Sequence, residues 1–333
     1  MVNLSTPVCS LLGIGVPIVQ APIGSAATPE LAAAVSNAGG LGMLAVTWLS
    51  VEGIAERVEA TRALTDRPFG ANLVLAFPYE DRLRRLLEMG VKIISTAWGD
   101  PSAVRSATTT AGATHMHSVG SVAEARAAAH VGVDAIVAQG WEAGGHVLGT
   151  VAGLPLIPAV VDAVRPVPVI AAGGISDGRG LAAALMLGAE GVWLGTRFLA
   201  AEEAATHETY RALVLAADAD DARHTLAFDG GWAGAPHRAL VNQTMLGWER
   251  AGRPASPGRP GEGDVVSVDR AGREHLRYED LMPLPGMTGE LQEMALYAGQ
   301  SVGLVRDVRP AAEIIHRIVA EATSALAAYQ TAD

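Results

Sequence analysis

The sequence predicts an α/β protein: a (β/α)8 TIM barrel with a small, mostly helical insertion or lid after the eighth strand. Three observations lead there. Short apolar runs recur eight times, at intervals of about 20 to 35 residues, the spacing of βα units. Each run is followed by a loop and an Ala/Leu/Glu-rich stretch of helical character. The repeat then stops near residue 200 and gives way to a segment rich in Pro and Gly.

The runs begin at Val16 (VPIVQ), Leu41 (LGMLAV), Phe69 (FGANLV), Val91 (VKIIST), Ala113 (ATHMHSV), Val133 (VDAIVAQ), Val167 (VPVIAA) and Gly191 (GVWLG). They read as strands, and residues 133–138, a short apolar β-branched run, as one buried on both faces. Between them, residues 29–37 open after Thr28 as N-cap with Pro29 in the first turn, and close at Gly39 and Gly40. Ser121 and Glu124 form a capping-box pattern for residues 121–130, which end at Gly132. Residues 180–187 stop at Gly188. Past the eighth run, residues 206–222 read as helix, residues 228–285 carry prolines, glycines and the aromatics Trp232, Trp248 and Tyr278, and residues 250–264 read as an irregular loop. Residues 290–297 and 310–329 read as closing helices. The expected layout is a barrel over 1–200, an insertion over 201–290 lying across one mouth, and C-terminal helices over 291–333 packing on the barrel.

Composition narrows the function classes. With 333 residues, half of them hydrophobic, and 38 glycines, the chain can bury a large core with many tight turns. A single cysteine, Cys9, excludes an internal disulfide framework and fits a reducing compartment. The net charge of −11 argues against a general nucleic-acid or anionic-membrane binder. No cationic leader and no long apolar span is present, so the expected location is cytoplasmic and the sequons at Asn3 and Asn242 carry no weight.

The chemistry concentrates in residues 133–149, VDAIVAQGWEAGGHVLG. A buried strand stops there in a Gly-rich loop holding one carboxylate and one histidine, and in barrels the loops at the strand C-termini form the active site. Without a Cβ, Gly144 and Gly145 let backbone N–H groups approach a ligand closely. His146 is the candidate reactive side chain, because a neutral imidazole accepts a proton from an acidic carbon or donates a hydrogen bond to a polarised oxygen. Glu142 either orients His146 or caps the next helix. His115 and His117 alternate on the fifth strand and read as core or supporting residues. The other strand ends share the same mouth: Gln20 to Gly24, Asn72, Gln139, Gly173 and Gly174, and Gly195 to Arg197. Backbone amides at the Gly173-Gly174 and Gly195-Thr196 turns make an anion site, and phosphate after strands seven and eight recurs in barrels. Walker, Rossmann, zinc-protease and G-x-S-x-G patterns are all missing, and one cysteine makes no thiolate cluster, so no metal site is expected.

Four stretches, QAPIG, AQGWEAGGHVLG, VIAAGGISDGRGLAAALMLGAEGVWLGTRFLA and ALYAGQSVG, together resemble the nitronate monooxygenase family, also called 2-nitropropane dioxygenases, and its relatives the flavin-dependent enoyl-ACP reductases. The likeness runs in order over nearly the whole chain. It implies an FMN-bearing barrel, with phosphate at Gly173, Gly174, Gly195 and Thr196. Ala21, Pro22, Ile23, Asn72 and Gln139 would lie along the flavin, and His146 takes the place of the family's catalytic histidine. Some relatives carry a lysine at the end of strand five, where this chain has His117, Ser118 and Val119. The implied activity is oxidation of alkyl nitronates with O2 to carbonyl compounds and nitrite. The alternative is an NAD(P)H-dependent reductase of quinones or enoyl thioesters on the same scaffold, and a flavin-binding protein without turnover stands third. The partners implied are a small substrate and O2, with neither nucleic acid nor membrane.

Overall fold

The computed structural model describes residues 4–330. Eight parallel strands form one sheet: β1 (Ile18–Gln20), β2 (Gly42–Ala45), β3 (Phe69–Val74), β4 (Ile93–Ala97), β5 (Thr114–Val119), β6 (Ala135–Gln139), β7 (Val169–Ala172) and β8 (Gly191–Leu194). Seven sit inside the apolar runs, and β4 runs one residue past VKIIST, to Ala97. β8 pairs with β1 through Ile18↔Val192 and Gln20↔Leu194, so the sheet curls towards closure. The remaining seam is a single bridge, Val19↔Leu41, flanked by Leu41 N–H to Ile18 C=O and Gln20 N–H to Leu41 C=O, each 2.9 Å. Gln20, fully buried, completes it by accepting the Met43 N–H at 2.9 Å on its side-chain oxygen. A buried amide is tolerated here because it supplies a bond the short ladder lacks.

Alternate strand residues face two layers. Val19, Met43, Ile93, Met116, Val137 and Ile170 fill the barrel interior, joined by Val8 and Leu12 of the helix Pro7–Leu12. Ile136, Ala138, Ala171, Val192 and Leu194 face outward to the helices, including the closing helix Ala311–Gln330, which lies on Gly178–Met186. Helix approach is close at Gly178, where a Cβ would sit 2.4 Å from Ala322 N. Thr28 caps as read, accepting from Leu31 N–H at 2.9 Å; Ser121 accepts from Glu124 N–H at 3.2 Å, but Glu124 takes Gly120 N–H at 2.7 Å in place of Ser121 N–H, so only half of the capping box forms. Among the described residues no helix is long and apolar enough to cross a membrane.

The segment after β8 holds the helices Glu208–Ala216 and Gln243–Arg250, and also one three-stranded sheet and two strands of another, completed by Gly145–His146 from the loop after β6, none of which the sequence pattern signals. Their strands run two to four residues, too short for alternation to register. The expected helix at 290–297 does not form. One 3-10 turn, Leu291–Glu293, is followed by chain that bridges Tyr297 to Ala239 and accepts Leu240 N–H on Leu296 C=O at 2.8 Å. Sheet hydrogen bonds outweigh helix propensity there. Asn242 caps the helix Gln243–Arg250 by accepting Met245 N–H and donates to Met294 C=O, so its side chain is already engaged, and Asn3 lies outside the described residues.

Candidate active site

The C-terminal ends of the barrel strands open into one cavity of about 330 Å³. It brings together His146 and the residues expected to flank a cofactor, but not Gln20, His115, His117, Glu142 or Arg197. Ala21, Pro22 and Ile23 line it from β1, Asn72 from β3 and Gln139 from β6. Gly144, Gly145 and His146 enter on the loop after β6, Gly173 and Gly174 after β7, Gly195 and Thr196 after β8.

Gly173 and Gly174 are both left-handed, with φ of +89° and +73°, a conformation that disfavours any residue with a Cβ. At Gly173 a Cβ would also stand 3.0 Å from Gly140 C=O and from Ala143 N. The N–H groups of Gly173, Gly174 and Gly195 donate to no acceptor among the described residues. Unpaired donors converging on a cavity from two adjacent strand ends suit a phosphate-sized anion. Thr196 contributes differently: its Oγ1 accepts Gly299 N–H at 2.9 Å and ties the C-terminal segment to the cradle. Ser176 Oγ donates to Ser301 Oγ at 2.7 Å to the same effect.

His146 owes its position to the insertion. The two-residue strand Gly145–His146 is the third strand of a sheet whose centre is His237–Leu240, with His237↔His146 and Arg238↔Gly145 in register. Gln139 fixes the loop from the barrel side, donating to His146 C=O at 3.0 Å and accepting Leu148 N–H at 2.7 Å. The imidazole stacks on Trp232 at 4.2 Å between centroids and meets the edge of Trp98 at 6.4 Å. Burial lowers its pKa to about 4, so the ring is neutral at pH 7. Nε2 has no hydrogen-bond partner, and the nearest carboxylate, Asp280, lies 3.6 Å away.

A family model described as nitronate monooxygenase matches residues 5–78 and 74–321. The chain belongs to the nitronate monooxygenase family. It is similar to the nitronate monooxygenase of Paraburkholderia phytofirmans, with 35% identity over 93% of each chain. It is likewise similar to a (3aS,4S,5R,7aS)-5-hydroxy-7a-methyl-1-oxo-octahydro-1H-indene-4-carboxyl-CoA dehydrogenase of Rhodococcus jostii, with 34% identity over 97% of each. Its fold matches FabK of Thermotoga maritima at a TM-score of 0.83 and 32% identity, covering 98% of both chains. These matches make it an oxidoreductase of the nitronate monooxygenase kind.

Within this nitronate monooxygenase scaffold the open questions of the sequence resolve. Glu142 is the helix cap: both carboxylate oxygens accept Gly153 N–H, at 3.0 and 2.8 Å. His115 and His117 share Thr96 Oγ1 at 2.7 Å each and stand outside the cavity lining, whereas their neighbour Ser118 lines it. Arg197 turns away to Asp307, at 2.7 Å, and is structural. Among the described lining residues there is no Lys or Arg, and Asp280 is the one carboxylate. The sequence analysis missed Trp48, Trp98, Asp280 and Tyr297. Trp98 has φ of +61°, rare for a bulky side chain, so the tight loop after β4 rather than any motif brings its indole to the mouth.

Four imidazoles are buried in neutral form, with a pH consequence. Burial lowers His115 to about 3 and His117, His146 and His237 to about 4, from 6.5. Below 6.5 the unfolded chain binds protons that the native chain refuses, so stability rises with pH in this window and is lost on acidification. Denaturant unfolding from pH 7 down to 5 is expected to show a midpoint that falls with a net uptake of up to about four protons. A midpoint level across that range would contradict neutral burial.

Proposed function

We propose that this chain is an FMN-dependent nitronate monooxygenase, oxidising alkyl nitronates, or the parent nitroalkanes, with O2 to carbonyl compounds and nitrite. The observation that carries this reading is the union, in one cavity, of a two-loop anion cradle with a buried neutral imidazole. FMN, when bound, supplies the electron transfer and the reaction with O2. Gly173, Gly174, Gly195 and Thr196 are the residues that would hold its phosphate. Ala21, Pro22, Ile23, Asn72 and Gln139 would flank its ring, with Gln139 also holding the His146 loop. His146 accepts the α-proton of a neutral nitroalkane or hydrogen-bonds a nitronate oxygen, and Trp232 and Trp98 keep bulk water from that face.

The purified protein is expected to be yellow and to release FMN, not FAD, on denaturation. Colourless protein that takes up no FMN overturns the cradle assignment. Mixed anaerobically with the oxidised protein, a nitronate is expected to bleach the flavin while NADH and NADPH do not. Bleaching by a reduced nicotinamide alone favours a second reading, a reductase or dehydrogenase of acyl thioesters, which the name of the Rhodococcus relative supports. A cavity lining without Lys or Arg offers nothing to a thioester carrier's phosphates, and this ranks that reading second.

A further inference from the structure

Proton abstraction by His146 leaves a charge to be placed. An imidazolium formed there would be a cation, largely removed from water, whose Nε2 has no hydrogen-bond partner. The group facing Nε2 is Asp280, on the insertion, with Oδ2 at 3.6 Å and a side chain only 10% exposed. Its other oxygen, Oδ1, accepts the hydroxyl of Tyr297, so Oδ2 is the oxygen left for His146. The carboxylate is held from behind. Asp280 N–H donates to Gly230 C=O and Gly230 N–H to Tyr278 C=O, both at 2.9 Å, across a turn whose Tyr278 is left-handed at φ +74°.

The other polar groups around this pair are committed elsewhere. His237 has both ring nitrogens occupied, Nδ1 with Ala235 C=O at 3.1 Å and Nε2 accepting Phe228 N–H at 3.3 Å. Tyr210, behind Tyr297, gives its hydroxyl to the Tyr297 carbonyl. Arg238, beside His237 on its strand, turns its guanidinium onto Trp141, 5.3 Å to the ring, and onto the Ala222 and Trp141 carbonyls. Among the described lining residues no Lys or Arg competes for Asp280.

We propose that Asp280 is the positioning partner of His146: it takes the Nε2 proton as a hydrogen bond and leaves Nδ1 bare towards the cavity as the base for a neutral carbon acid. Closing 3.6 Å to a hydrogen bond needs a shift of under about 1 Å. In the step itself the α C–H bond of the substrate breaks, its electron pair passes into the nitro group, and the proton joins Nδ1. The resulting imidazolium is balanced by Asp280. Only the choice of a nitro compound as the carbon acid rests on the function proposed above.

The test pairs a spectroscopic with a kinetic readout on the purified flavoprotein. In 15N-histidine-labelled protein at pH 7, His146 is expected as the Nε2–H tautomer. Asp280→Asn keeps an oxygen for Tyr297 and presents its NH2 to Nε2, so the proton is expected to move to Nδ1, removing the base. Turnover of nitroethane then falls about tenfold to a hundredfold, the scale set by losing a counter-charge within 4 Å. KM for ethyl nitronate is expected not to rise. Tyr210→Phe, which keeps the carboxylate and removes a hydroxyl bond behind the same segment, outside the cavity lining, is expected to keep the Nε2–H tautomer and most of the nitroethane turnover. An unprotonated Nε2 in the wild type, a tautomer unchanged by Asp280→Asn, or equal losses on both substrates in both variants overturns the inference. If the wild type oxidises neither nitro compound, the nitro-compound reading fails and the tautomer comparison alone decides the role of Asp280.

Discussion

His146→Ala is expected to lower turnover of a neutral nitroalkane by about 10² to 10⁴, the usual contribution of a positioned general base. At about 1.4 kcal/mol per tenfold this is roughly 3 to 5 kcal/mol of transition-state stabilisation. A preformed nitronate has already lost its α-proton, so its oxidation is expected to fall much less. FMN retention is expected to be unchanged, since Gly173, Gly174 and Gly195 lie on the loops after β7 and β8 and not on the loop that carries the imidazole. The wild-type pH profile follows from burial. With His146 near 4, the base form is fully populated from neutral pH down to about 5, and the acidic limb for nitroalkane is expected near 4 rather than near 6.5. Steady-state kinetics on both substrates, with wild type and variant, check these statements together. Equal losses on both substrates would reduce His146 to a binding group, and no loss on either would remove it from the chemistry altogether.

What the sequence conveys about this molecule divides along physical lines. All eight barrel strands fall on apolar runs, β4 extending one residue past its own, because strands covered on both faces favour continuous apolar residues over alternation. The glycine turns at the cavity are legible for a related reason: left-handed backbone at Gly173 and Gly174, and close backbone packing at Gly144, whose Cβ would stand 2.3 Å from Gly299 N, require glycine, and glycine is visible in a sequence. The environment of His146 was not legible. Its strand partner His237, its stacking partner Trp232 and its carboxylate Asp280 lie some 85 to 135 residues further along, in strands of two to four residues and in turns. No periodicity marks such elements, and only tertiary pairing puts Asp280 beside the imidazole. Glu142 illustrates the converse. It adjoins the histidine in sequence and looks like its partner, yet its carboxylate caps a helix.

The cradle is testable through Gly174→Val, which is expected to cost FMN retention more than fold. At φ +73° a β-branched residue is strained, by roughly 1 to 2 kcal/mol, so some stability is lost wherever such a change is made. The added Cβ meets no protein atom closer than Glu142 Cβ at 3.5 Å, an ordinary contact, and folding bears little beyond that strain. What changes is the angle and the room around an N–H that has no protein acceptor. A hydrogen bond to a charged phosphate contributes about 1.5 to 3 kcal/mol, so spoiling one is expected to weaken FMN binding by roughly tenfold to a hundredfold. Gly112→Val is the matched control. Its φ of +60° imposes the same left-handed strain at a helix C-cap, with open space around the Cβ and no part in the cavity. Both variants are expected to melt earlier by a similar amount, and only Gly174→Val is expected to emerge pale from gel filtration and to rebind FMN weakly in a fluorescence titration. Retention of FMN by Gly174→Val equal to that of Gly112→Val would assign Gly174 to the turn after β7 alone, and with it move the phosphate off this strand end.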